Sequence, residues 1–136
     1  MAESTTNKML QQVRNYKLTM LLVVIVWTLC FMSIPETSLD NVRLIDKWTH
    51  AVMYLALGLA IVIEHNRANG HPMSAGRLLV YVGLMPTLMG GVIEILQAYC
   101  TGGRRSGDWL DLLADMVGAA LATLIGMLWA RWRANS

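Results

Sequence analysis

The sequence predicts an all-α integral membrane bundle of four transmembrane helices, on three observations. Apolar residues make up 55% of the 136 residues, charged residues only 15%, and the mean hydropathy is +0.46. A soluble domain of this size carries about a quarter charged residues. Four apolar runs are each near the roughly 20 residues that cross a 30 Å hydrocarbon core. No stretch shows the alternation over about ten residues that a membrane barrel strand requires. The length fits a single domain, residues 1–136.

Met1 to Gln12 is polar and has no Ala-x-Ala cleavage pattern, and the first apolar run stands behind Lys8, Arg14 and Lys17. That run is expected to be a retained helix and not a cleaved signal peptide. It covers Leu18–Ile34 and stops at Pro35. The second span, Asp46–Ile63, is interrupted by Asp46, Lys47, Thr49, His50 and Tyr54. The third, Leu78–Tyr99, carries Thr87, Glu94 and Gln97; Pro86 is expected to kink it, and Gly90-Gly91 to let a neighbour approach. The fourth, Trp109–Ala130, holds Asp111, Asp115 and Thr123, with Gly118, Ala119, Ala120, Ala122 and Gly126 as a close-packing face. Between the second and third spans, Asn69-Gly70 and His71-Pro72 are turn formers.

Four spans put both termini and the middle loop on one side. That side carries seven basic residues, Lys8, Arg14, Lys17, Arg67, Arg77, Arg131 and Arg133, against four on the other, Arg43, Lys47, Arg104 and Arg105. The excess predicts cytoplasmic termini, and Trp48, Trp109, Trp129 and Trp132 fall at the expected interfaces. A net charge of +2 and the lack of a basic stripe interleaved with aromatics argue against nucleic acid as a partner. Cys30 and Cys100 fall near the same face, and two free thiols are expected in preference to a disulfide. Lys47 is expected to snorkel to the interface. His65 and His71 have no companions in sequence, so no metal site is expected there.

Ionisable residues inside a membrane are costly and point to function. Asp46, His50 and Tyr54 are spaced by four and line one stripe of the second helix. Glu94 and Gln97 share a face of the third. Asp108, Asp111 and Asp115 lie within a sector of about 60° on the fourth. At 1.5 Å per residue, His50 lies about 6 Å below Asp46, Glu94 about 9 Å below Cys100, and Asp115 about 10 Å below Asp108. The three stripes therefore open on the non-cytoplasmic side at similar depth, with Arg104 and Arg105 as a roof. Asp108 could instead cap the fourth helix, and Tyr54 could be a packed aromatic.

These motifs, Asp46-Lys47-x-x-His50-x-x-x-Tyr54-x-x-x-Gly58, Glu94-x-x-Gln97, and Arg104-Arg105 followed by Asp108-Trp109-x-Asp111-x-x-Ala114-Asp115-x-x-Gly118, resemble the VanZ-like family of bacterial membrane proteins. The resemblance covers about Ile45 to Leu124. It implies a multi-pass protein of the bacterial cytoplasmic membrane, with Asp46, His50, Tyr54, Glu94, Gln97, Arg105, Asp111 and Asp115 at family positions. Members often have Asn where this chain has Asp115, which adds a charge here. The family's namesake is associated with low-level resistance to the glycopeptide teicoplanin, a link the resemblance suggests without establishing it for this chain. It supplies a site and not a reaction.

The expectation is that an anionic envelope-lipid headgroup binds in the outward pocket, where it could also be processed. Arg104 and Arg105 would hold phosphate, with Tyr54, Gln97 and Asp115 as further ligand contacts. Asp46, His50, Glu94 and Asp111 would supply acid–base chemistry. The surplus of carboxylates opposes phosphate unless some are protonated or a divalent cation intervenes. No metal-ligand set is assigned. Two alternatives compete: a proton-coupled lipid or solute transporter, which with four helices would require a homo-oligomer, and a non-catalytic membrane partner protein.

Overall fold

The computed structural model describes residues 2–32, 42–100 and 109–136, and the side chains of 4–32, 47–100 and 109–136. Every regular element among them is helical. In chain order these are α1 (Ala2–Asn15), α2 (Lys17–Phe31), α3 (Val42–Asn69), α4 (Ala75–Arg77), α5 (Met85–Cys100) and α6 (Trp109–Ala134). A π-helical stretch, Leu78–Leu84, joins α4 to α5. Among the described residues three helices are long and apolar enough to cross a membrane: Lys47–Asn69, Ala75–Cys100 and Trp109–Ala134. The chain thus has the helices of a multi-pass membrane protein.

The first predicted span differs from expectation. α2 has 15 residues, which at 1.5 Å each is about 22 Å, short of a 30 Å hydrocarbon core. The polar segment before it is also helical, and the two axes meet at 73° around Tyr16. If that bent pair counts as one span, the number rises to four. α1 presents Met9, Leu10 and Val13 on its surface.

The bend leaves the first N–H groups of α2 without a cap from the preceding residue, because the Tyr16 side chain forms no capping bond. Glu64 of α3 supplies it. Its Oε1 accepts from the Leu18 N–H at 2.6 Å, and its Oε2 accepts from the Thr19 N–H at 2.9 Å and the Thr19 hydroxyl at 2.6 Å. A carboxylate at a helix N-terminus also meets the positive end of the helix dipole. Hydrogen bonds to a charged group are worth about 1.5–3 kcal/mol. Glu64→Ala is therefore expected to cost about 2–3 kcal/mol in detergent unfolding, and Glu64→Gln less. An unchanged midpoint in Glu64→Ala would show that α2 is held by packing alone.

Pro86 is preceded by a local change of helix type. It lacks an N–H, so the turn before it cannot close in the α pattern. The backbone widens into the π stretch just ahead of it, with the Met85 N–H reaching the Val80 carbonyl. The Thr87 hydroxyl donates to the Gly83 carbonyl at 2.7 Å. α3 ends at Gly70, whose φ of 72° is the left-handed conformation a Cβ disfavours. Its N–H closes on the Asn66 carbonyl at 2.9 Å.

The packing is sorted as lipid requires. Large aliphatics such as Leu21, Val24, Leu79, Ile95, Leu124 and Leu128 face outward, while Ala60, Ala119 and Ala122 are buried. Lipid tails are as apolar as leucine, so close backbone approach through small residues decides what goes inside. Gly118 and Gly126 share the buried face of α6 as expected, but Ala120 is exposed and lies off it. α3 packs more extensively on α6 than on any other element. One cluster, Val62, Met73, Leu78, Val82 and Ala122, fills one end; a second, Val26, Cys30, Tyr54 and Ile93, joins α2, α3 and α5.

Candidate functional site: a histidine between two aspartates

On α3, Lys47, His50 and Tyr54 follow the i, i+3, i+7 spacing that places side chains on one stripe. On α6, Asp111, Asp115 and Gly118 share a stripe through the spacing i, i+4, i+7. The two stripes face each other because α6 has no side chain at the point of closest approach. A Cβ on Gly118 would strike the Ala51 carbonyl oxygen and lie 2.9 Å from the Leu55 nitrogen and 3.0 Å from Tyr54 Cβ. With that contact closed, the side chains one and two turns earlier in α6 reach α3.

The result is a chain of four groups. His50 Nδ1 donates to Asp115 Oδ1 at 2.8 Å, since an ionised carboxylate only accepts. His50 Nε2 lies 3.9 Å from Asp111 Oδ2. Asp111 Oδ1 forms an ion pair with Lys47 Nζ. Burial is graded along it: Asp115 is 1% exposed, whereas the Lys47 side chain is 23% exposed. With His50 protonated, two cations face two carboxylates and the quartet is neutral. An unpaired charge here would carry a penalty of several kcal/mol.

Gly90 on α5 forms the floor of the site. A Cβ there would stand 2.5 Å from Asp115 Oδ2 and 3.2 Å from the Tyr54 hydroxyl, so both polar atoms lean over that glycine. The Tyr54 hydroxyl is buried with no hydrogen-bond partner among the described residues. Glu94 is buried one turn along α5 and lies within electrostatic reach of Tyr54. Gln97, 1% exposed, donates through Nε2 to the Cys30 carbonyl at 2.6 Å, which ties α5 to α2.

The structure thus brings together His50, Tyr54, Asp111 and Asp115, with Glu94 and Gln97 on the adjoining helix. The Gln97 amide nitrogen is engaged in helix packing. Asp108, Arg104 and Arg105, and the side chain of Asp46, lie outside the described residues. Lys47, expected to snorkel to the interface, instead pairs with Asp111; its spacing of three from His50 was the available signal. Glu64 gave no signal, because its partners lie 45 and 46 residues away in sequence. Cys30 and Cys100 are free thiols, the first buried and the second exposed. Among the described residues no three His, Cys, Asp or Glu side chains are grouped to hold a metal ion.

Fold and site define a helical membrane protein with a shielded Asp–His–Asp–Lys chain between two of its spanning helices. Comparisons with protein families, curated proteins and solved structures return no match.

Proposed function

We propose that this chain is a VanZ-like, four-span protein of the bacterial cytoplasmic membrane, with both termini in the cytoplasm. In this reading it binds an anionic lipid headgroup at its outward end, next to the His50 site. The observation that carries it is the quartet Asp115–His50–Asp111–Lys47, which runs from a fully shielded carboxylate to a partly exposed ammonium group. Sequence alone suggested an acidic surplus that would repel phosphate. Lys47 and a protonated His50 offset Asp111 and Asp115, so a headgroup approaching this end meets no net negative charge from these four. His50 is positioned to hold or pass a proton between the two carboxylates, the element that processing a headgroup would need. Arg104 and Arg105, from the connection leading into α6, would supply the phosphate contacts.

Native mass spectrometry of the protein in gentle detergent tests the reading. The expected result is a retained anionic phospholipid or polyprenyl phosphate that disappears in the Arg104→Ala/Arg105→Ala double variant. Equal retention in both proteins would overturn it. The same buried chain also suits proton-coupled transport, since a proton could step from Asp115 through His50 to Asp111. Proton uptake on lipid addition to proteoliposomes, without a covalent product, would favour that second reading.

A further inference from the structure

At the opposite end of the bundle, beside the C-terminal ends of α3 and α6, lies a cavity of about 290 Å³ whose walls include Asn66, Arg67, His71, Trp129 and Arg133. We propose that it is a second site, which binds a phosphate ester bearing a free hydroxyl, such as a glycerol phosphate headgroup. Among the described residues no carboxylate lines it. Glu64, within electrostatic reach of Arg67, has both oxygens engaged by the start of α2. The Arg133 guanidinium is held 5.9 Å above the Trp129 ring, a placement that leaves its edge donors available. His71 Nδ1 donates to the Pro72 carbonyl at 3.1 Å, which leaves Nε2 as its other polar atom.

Arginines in the last turn of a helix complement the negative end of its dipole, and that alone would account for Arg67 and Arg133. It does not account for Asn66. Both polar atoms of its carboxamide are shielded from solvent and have no hydrogen-bond partner among the described residues, and leaving such groups unsatisfied is costly. The carboxamide places a donor NH2 group and an acceptor oxygen side by side. A bare phosphate oxygen satisfies only the donor, Nδ2. The acceptor, Oδ1, requires a donor, and with the arginines assigned to the phosphate a hydroxyl next to that phosphate on the ligand supplies it. Ile63, Pro72 and Trp129 provide an apolar wall for the carbon skeleton between them. The two arginines supply the bidentate phosphate contacts for which guanidinium is suited.

The test uses the full chain in phosphatidylcholine nanodiscs, exchanged against discs containing phosphatidylglycerol, with bound lipid read by native mass spectrometry. Wild type is expected to retain phosphatidylglycerol over phosphatidylcholine, and Arg67→Gln/Arg133→Gln to lose that preference by roughly tenfold or more. Both arginines are exposed, so the double variant should fold, and circular dichroism checks this. Asn66→Leu, which removes the unsatisfied amide, is expected to weaken retention while leaving the protein at least as stable. Displacement by soluble glycerol 3-phosphate would support the site with a soluble phosphate ester as ligand. Retention that resists displacement would support it with lipid. Equal retention of the two lipids, or retention unchanged in both variants, would overturn the proposal. The Arg104/Arg105 variant acts at the other end, so the two sites fail or stand separately.

Discussion

Asp115→Ala is expected to destabilise the folded protein by about 3–5 kcal/mol, the cost of breaking a buried pair by deleting one partner. Asp115→Asn is expected to cost only about 1 kcal/mol. The difference follows from what each leaves facing His50. Alanine strands the Nδ1–H donor that now meets Asp115 Oδ1 at 2.8 Å, in a place where water cannot replace the lost acceptor. Asparagine keeps a carbonyl oxygen of the same reach, so the hydrogen bond survives and only the charge is lost. Asp111 and Lys47 then balance each other, and a neutral His50 completes an uncharged set without a proton to give. The Asn variant should therefore fold and bind but fail in any step that needs acid–base chemistry. Unfolding in a detergent titration separates the two variants. Equal costs would show that Asp115 acts through its charge, which both variants remove, and a cost below about 1 kcal/mol for Asp115→Ala would show that it is not a partner of His50.

How much of this could be read in the sequence depends on how local each cause is. The apolar runs fix the second to fourth helices, because spanning lipid demands length and hydrocarbon within one segment. The helices overrun the expected limits at Asn69 and Ala134, since a helix does not end where its lipid-facing stretch ends. His50, Asp111 and Asp115 were legible because helical spacing brought each pair onto one stripe and depth then matched the stripes. That His50 pairs with Asp115 was not legible, because it depends on Gly118 closing on a backbone carbonyl of another helix. The break at Tyr16 and its repair by Glu64 were invisible for the same reason. A helix end capped from a distant segment leaves no mark in its own sequence. Pro86 announced an irregularity, but not that the backbone ahead of it would widen into a π stretch.

Gly118→Val is expected to cost about 3 kcal/mol, at the upper end of what overpacking exacts, and to take the site with it. A Cβ at this position meets the Ala51 carbonyl oxygen and the Leu55 nitrogen, which are backbone atoms and cannot rotate away. The only relief is for α6 to move off α3, and that same motion pulls Asp115 and Asp111 from His50. Gly91→Ala, on the helix opposite, is the matched comparison. Nothing lies within 4 Å of its added methyl, so it should be neutral or stabilise by up to about 1 kcal/mol through helix propensity. Gly58 separates packing from backbone collision. Its added Cβ would meet chiefly Ala122 Cβ and Val82 Cγ1, so Gly58→Ala should destabilise, and a second change, Ala122→Gly, should recover much of the loss by removing the opposing methyl. No second change of that kind exists for Gly118. If thermal unfolding in detergent showed Gly118→Val to be as stable as Gly91→Ala, α3 and α6 could not be in contact at Ala51, and the His50–Asp115 pair that depends on that contact would have to be abandoned.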